Sequence, residues 1–169
     1  MNVSTLIVVV LGGIAISLSY GIVFGKLQPG QYLSHPFWLD IPKELVVILV
    51  VFQALAAIGF LLAIIPWIIQ PPKTGVMGKH EWTLPLTLGF FFVFAVMWAP
   101  ATFYKVHWLV VLSLIGTAIA SIVLLAGSIE EDNPRWYIVV GLILLCIVTV
   151  LIDAVLWNAK YIRNAYKNT

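Results

Sequence analysis

Residues 45–69 read LVVILVVFQALAAIGFLLAIIPWII, a run without a single charged side chain. A helix rises about 1.5 Å per residue, so about 20 apolar residues cross the roughly 30 Å hydrocarbon core of a bilayer. In lipid every backbone polar group must find its partner within the protein, and the run lacks the alternation of a barrel strand. The stretch therefore predicts a membrane-spanning helix.

Four more stretches of the chain have the same length and character. With residues 45–69, the five predicted spans are Leu6–Phe24, Leu45–Ile69, Leu84–Phe103, Trp108–Ser128 and Trp136–Trp157. The chain is 62% hydrophobic and 9% charged, with a mean hydropathy of +1.07, unlike a soluble domain. The sequence predicts an all-α, multi-pass integral membrane bundle, with residues 1–169 in one membrane domain and a basic tail at residues 158–169.

The basic residues are divided unevenly between the two sides of this bundle. The side with the N-terminus and the second and fourth connections holds Lys73, Lys79 and Arg135. The opposite side holds Lys26, Lys43, Lys105, Lys160, Arg163 and Lys167. Lys and Arg in short flanking loops favour the cytoplasm, so we expect an outside N-terminus and a cytoplasmic C-terminus.

Several classes of function find no support in the sequence. The three histidines, His35, His80 and His107, lie outside the spans, and the single cysteine, Cys146, lies within an apolar run. No acid, base and nucleophile share one membrane face, and no Cys/His spacing fits a metal site. Apart from the tail there is no basic patch for nucleic acid. We therefore expect a non-enzymatic protein with no metal site and no nucleic-acid partner.

Small residues form stripes on two of the spans. Such stripes let helix backbones approach closely in membranes. They consist of Gly13, Ser17, Gly21 and Gly25 in the first span, and of Gly116 and Ala120 in the fourth. The helix that packs on the first stripe could belong to this chain or to a neighbour, whereas the third and fourth spans are expected to be neighbours because their connection is short.

Two polar side chains within the spans have alternative interpretations. Gln53 either joins helices through hydrogen bonds or contacts a ligand, because an unpartnered amide is costly in lipid. Asp153, the only acidic residue within a span, is either solvated or ion-paired near the membrane boundary, or has a role with a ligand or proton. Most tryptophans, including Trp67 and Trp157, are expected in the interfacial belts.

The first connection, KLQPGQYLSHPFWLDIPK at residues 26–43, is the longest and is rich in proline and aromatic residues. It is interpreted either as an interfacial anchor or as a cap over a ligand. The segments QPGQYLSHPFW (28–38), ELVVILVVFQAL (44–55) and MWAPATFYK (97–105) resemble the translocator-protein family, also called tryptophan-rich sensory proteins. The resemblance implies a pocket for tetrapyrroles or sterol-like molecules among the helices, lined by Tyr20, Phe37, Trp38, Gln53, Trp98 and Asp153.

Two functions remain open from the sequence. The first is an accessory or structural subunit of a larger membrane complex, packed against neighbouring helices, lipids or pigments, or a homo-oligomer. The alternative is a binder or transporter of a hydrophobic ligand in an aromatic cavity. A tetrapyrrole, a pigment or a lipid is the candidate cofactor.

Overall fold

The computed structural model describes residues 2–27 and 42–167, and every regular element in these ranges is helical. The elements are α1 (Val3–Phe24), α2 (Lys43–Ile69), α3 (Gly75–Gly78), α4 (Thr83–Phe103), α5 (His107–Ile129), α6 (Trp136–Cys146), a π-helical segment (Ile147–Trp157) and α7 (Asn158–Lys167). The last three follow one another without a break. Five helices are long and apolar enough to cross a membrane, which confirms the predicted all-α, multi-pass membrane fold.

The helices are arranged around the bundle in an order that differs from their order in the chain. α1 packs on α4, α4 on α5, α5 on α6 and the π segment, and α6 on α2. The pairing of α4 with α5, the third and fourth spans, is as predicted. α1 and α2 barely touch within the described residues, although the Asn2 amide donates a 2.9 Å hydrogen bond to the Ile68 carbonyl. The ring of helices is therefore weakest between α1 and α2.

The closest backbone approach lies between α2 and α6. A Cβ atom added to Gly59 would lie 2.5 Å from the carbonyl oxygen of Gly141, too close for any side chain. In a bilayer, where lipid removes most of the hydrophobic drive between helices, such contacts between small residues hold helices together. This pair of glycines fixes the crossing of the two helices.

The small-residue stripes have different surroundings. On α5, Ala120 is buried, and Gly116 lies directly against the ring of Phe94 on α4. On α1, an added Cβ at Gly13 or Gly21 would meet no atom within 4 Å. The glycine through which α1 contacts α4 is instead Gly12, which lies against Phe92. Within the described residues, no helix of this chain fills the space beside Gly13 and Gly21.

The connections on the N-terminal side are held to each other by hydrogen bonds. Here Trp67 Nε1 donates to Glu131 Oε1 at 2.7 Å, and the Val76 amide donates to Glu130 Oε2 at 3.2 Å. Arg135 donates to the Gln70 carbonyl oxygen at 3.0 Å. The expectation that Trp67 lies in an interfacial belt is wrong, since its side chain is fully buried.

Candidate functional site

A cavity of about 600 Å³ lies between the spans, and α1, α2, α4, α5, α6 and the π segment all contribute to its wall. Four of the six residues predicted to bind a ligand lie on this wall: Tyr20, Gln53, Trp98 and Asp153. The other two, Phe37 and Trp38, lie outside the described residues, as does most of the first connection. The volume is within the range of about 300–1,000 Å³ usual for small-molecule pockets. The fold thus brings together side chains that are far apart in the sequence.

An aromatic cluster lies at the end of the cavity nearer the C-terminal side. The ring centroids of Tyr20 and Trp98 are 5.7 Å apart, and those of Trp98 and Trp157 are 5.6 Å apart at an interplanar angle of 75°. Trp157, expected in an interfacial belt, is instead buried, so that expectation is wrong. The indole of Trp98 is held between these two rings, which fixes its orientation toward the cavity.

Three phenyl rings form the wall farther toward the N-terminal side. Phe60 of α2 stacks on Phe91 of α4 with centroids 5.4 Å apart, and meets Phe92 edge to face at 5.7 Å. All three line the cavity. These rings were not predicted as ligand contacts, because the sequence FFFVF at residues 90–94 is also typical of an ordinary apolar span. These residues lie in the middle of the spans, where anchoring in an interfacial belt does not explain aromatic side chains, and this position could have indicated a role in the cavity.

Gln53 and Asp153, the two polar side chains for which the sequence left alternatives open, both line the cavity. Among the described residues, no hydrogen bond or ion pair is found for the Asp153 carboxylate or the Gln53 amide. Both side chains are half-buried, because the cavity reaches them. In the described part of the chain, Asp153 thus has no ion pair, and Gln53 forms no interhelical hydrogen bond.

The serine and threonine hydroxyl groups on the wall each donate a hydrogen bond to a backbone carbonyl. Ser17 donates to the Gly13 carbonyl at 2.9 Å, Thr117 to the Ser113 carbonyl at 2.6 Å, and Thr149 to the Leu145 carbonyl at 2.9 Å. A hydroxyl whose proton is used in this way still has lone pairs and acts as an acceptor. Neither Thr117 nor Thr149 was predicted from the sequence to contact a ligand.

Asp153 lies on the π-helical segment, Ile147–Trp157. Backbone bonds in a π-helix join residues five apart, and Asn158 N donates to the Asp153 carbonyl in this pattern. The wider turn places Val148, Thr149 and Asp153 together on the cavity wall. Most π-helical turns are single bulges, often at functional sites, so an 11-residue π-helical segment that contains Asp153 is unusual.

The exposed part of the wall lies on α1 and α2. Ser17 of α1, and Ala57 and Leu61 of α2, line the cavity and are exposed. The lining residues on α4, α5, α6 and the π segment are buried or half-buried. Since α1 and α2 barely touch, the cavity opens sideways between them, toward the space that lipid occupies in a bilayer.

Within residues 2–27 and 42–167, no group of three or more His, Cys, Asp or Glu side chains could hold a metal ion. Comparisons of the chain with protein-family models, with curated proteins and with solved structures found no match.

Proposed function

We propose that this multi-pass membrane protein binds an apolar small molecule in the cavity between its spans. The observation that carries the proposal is the position of Tyr20, Gln53, Trp98 and Asp153 around one space, although they come from four different spans. Aromatic walls with a few convergent polar groups are the usual composition of a ligand pocket. Polar side chains within a membrane span raise the free energy of insertion, so their presence on this wall favours a role in ligand binding.

The route into the cavity runs from the lipid between α1 and α2. The exposed lining residues lie on these two helices, which make few contacts with each other. A ligand that partitions into the bilayer would reach this opening without crossing water. This supports a hydrophobic ligand rather than a polar metabolite.

The resemblance of residues 28–38, 44–55 and 97–105 to the translocator-protein family supports the same class of function. It implies a tetrapyrrole or sterol-like ligand, so tetrapyrroles, pigments and lipids are the compounds to test first. The cavity can hold a molecule of drug size, or part of a larger one that extends through the lateral opening.

Quenching of tryptophan fluorescence in lipid nanodiscs tests this proposal. The probe is 4-bromobiphenyl, whose bromine quenches a nearby indole. We expect saturable quenching by the wild-type protein, reduced in Trp98→Phe because that indole lines the cavity. Gly13→Leu should abolish the saturable part, since Gly13 lines the cavity with open space beside it.

Gly21→Leu is the matched control for Gly13→Leu. Gly21 also has open space beside it, but it does not line the cavity. The control should therefore bind the probe like the wild type. Quenching that never saturates, or that responds equally to both leucine variants, would overturn the proposal.

An accessory subunit is the second candidate, and the exposure of α1 and α2 favours it. Only 11% of the apolar window of α1 and 17% of that of α2 are buried, against 44% and 50% for α4 and α5. Such faces suit lipids or the helices of a partner. A subunit should copurify with a stoichiometric partner in mild detergent and lose it in Gly21→Leu, whereas migration as a lone monomer would exclude this role.

A further inference from the structure

We propose that the ligand of this cavity is a lipophilic amine, whose ammonium group binds Asp153 and whose apolar body lies against Phe60, Phe91 and Phe92. This inference rests on the proposed binding function and specifies the chemical class of the ligand. It follows from the kinds of polar atoms on the wall and from where they lie.

The wall carries one acidic group and several other hydrogen-bond acceptors, and its donors are the neutral Tyr20 hydroxyl, Gln53 amide and Trp98 indole N–H. The Asp153 carboxylate only accepts when ionised, and Ser17, Thr117 and Thr149 have already given their protons to backbone carbonyls. No Lys, Arg or His is found among the lining residues of the described chain. A ligand that brings donors and a positive charge satisfies these acceptors, whereas an anion would find no counter-charge.

The acceptors and the phenyl rings lie at different depths of the cavity. α2 begins on the C-terminal side, so Gln53 lies nearer that side than Phe60 by about 10 Å, seven residues at 1.5 Å each. Asp153 is one turn from Trp157, which contacts Trp98, and so belongs to the C-terminal half. Phe60, Phe91 and Phe92 are mutually packed farther toward the N-terminal side. The cavity is therefore amphipathic along the bundle axis. The Asp153 carboxylate and the Gln53 amide lie toward the C-terminal side, beside Tyr20 and Trp98, and the three phenyl rings lie toward the N-terminal side.

The side chain of Asp153 is available for a cation. No hydrogen bond or ion pair to its carboxylate is found in residues 2–27 and 42–167. A carboxylate within a span is costly, and an ammonium ion would compensate its charge where water is scarce. Gln53 and Tyr20 can each donate or accept, so they can complete the contacts of a primary amine without selecting against it.

The test compares three compounds of the same shape that differ in one polar group. They are the aminomethyl, hydroxymethyl and carboxyl derivatives of 4-bromobiphenyl, measured by tryptophan quenching in nanodiscs of zwitterionic phosphatidylcholine. A hydrogen bond to a charged partner predicts that the amine binds at least about tenfold more tightly than the alcohol, and the acid most weakly. Asp153→Asn should bring the amine and the alcohol to the same affinity.

Two further variants complete the experiment. Asp132→Asn makes the same chemical change at an exposed aspartate outside the cavity, and it should retain the preference for the amine. Asp153→Glu preserves the charge and should retain most of the preference, which guards against misfolding as the cause of its loss in Asp153→Asn.

Equal affinity for the three compounds, or a preference for the amine that survives in Asp153→Asn, would overturn this inference and leave the proposed binding function intact. If none of the three compounds and not even unsubstituted 4-bromobiphenyl gave saturable quenching, the binding function itself would be overturned.

Discussion

The indole Nε1 of Trp67 donates a 2.7 Å hydrogen bond to the Glu131 carboxylate, joining the end of α2 to the connection that follows α5. The Trp67 side chain is fully buried, so its N–H could not reach water if this acceptor were removed. A buried donor needs a partner, and here it comes from a residue 64 positions away in the sequence. This bond supplies the partner that the buried indole N–H of Trp67 needs.

Removing this acceptor should destabilise the protein. We expect Glu131→Ala to lower the free energy of unfolding by about 1–3 kcal/mol, because it leaves the indole N–H buried without a partner. Glu131→Gln keeps a neutral acceptor and should lose less. Near-UV circular dichroism during unfolding in detergent measures both changes. Glu81→Ala, at an exposed acid on the same side, is the control, and an equal loss there would contradict the explanation.

The Gly59–Gly141 crossing should tolerate no added methyl group. Gly59→Ala would place its Cβ 2.5 Å from a backbone carbonyl oxygen, which cannot turn away as a side chain can. The two helices would have to separate, at a cost of about 1–3 kcal/mol by analogy with overpacked cores. Thermal unfolding in detergent should show a lower midpoint.

Gly89→Ala is the matched control for this substitution. Gly89 also lies within a long helix, but an added Cβ there meets no atom within 4 Å. Its midpoint should stay the same or rise slightly, since alanine favours helix more than glycine does. A similar loss in both variants would show that helix propensity, rather than the crossing, determines the effect.

The five spans could be predicted from the sequence because hydropathy over 20 residues is a local property. Predicted and observed ends differ by at most three residues, as at the start of α1, where Leu6 was predicted and Val3 is found. The pairing of α4 with α5 was also predictable, since only Tyr104, Lys105 and Val106 separate them. Backbone constraints in lipid leave such a hairpin few alternatives.

Which side of each helix is buried in the bundle could not be predicted, because the sides that face lipid are as apolar as the core. Hydropathy cannot tell a lipid-facing isoleucine from a buried one, so the sequence did not indicate that α1 lies beside α4 rather than α2. The same limit explains the errors at Trp67 and Trp157, which are buried near helix ends where belts are expected. The π segment gave no signal at all, although it places Asp153 on the cavity wall.

Asp153→Asn should stabilise the ligand-free protein. A carboxylate in the middle of a span costs about 2.5–3.5 kcal/mol on insertion scales, and less where a cavity lets water reach it, so we expect a gain of about 1 kcal/mol. Residues kept for binding often lower stability in this way. Thermal unfolding in detergent without ligand measures the change. In the control variant Asp132→Asn, the unfolding midpoint should stay the same. A midpoint lowered by Asp153→Asn would mean that the carboxylate is held by stabilising contacts.

The distribution of Lys and Arg predicts that residue 132 lies outside the cell or organelle and residue 162 inside. Both side chains are exposed and lie on opposite sides of the last span. In a Cys146→Ser background, which removes the only native thiol, Asp132→Cys in intact cells should react with a membrane-impermeant maleimide. Ile162→Cys should react only after the membrane is permeabilised. Neither substitution changes a basic residue, so the charge difference that sets orientation is preserved. The opposite labelling pattern would invert the orientation, and labelling of both sites in intact cells would contradict a single membrane-spanning segment between them.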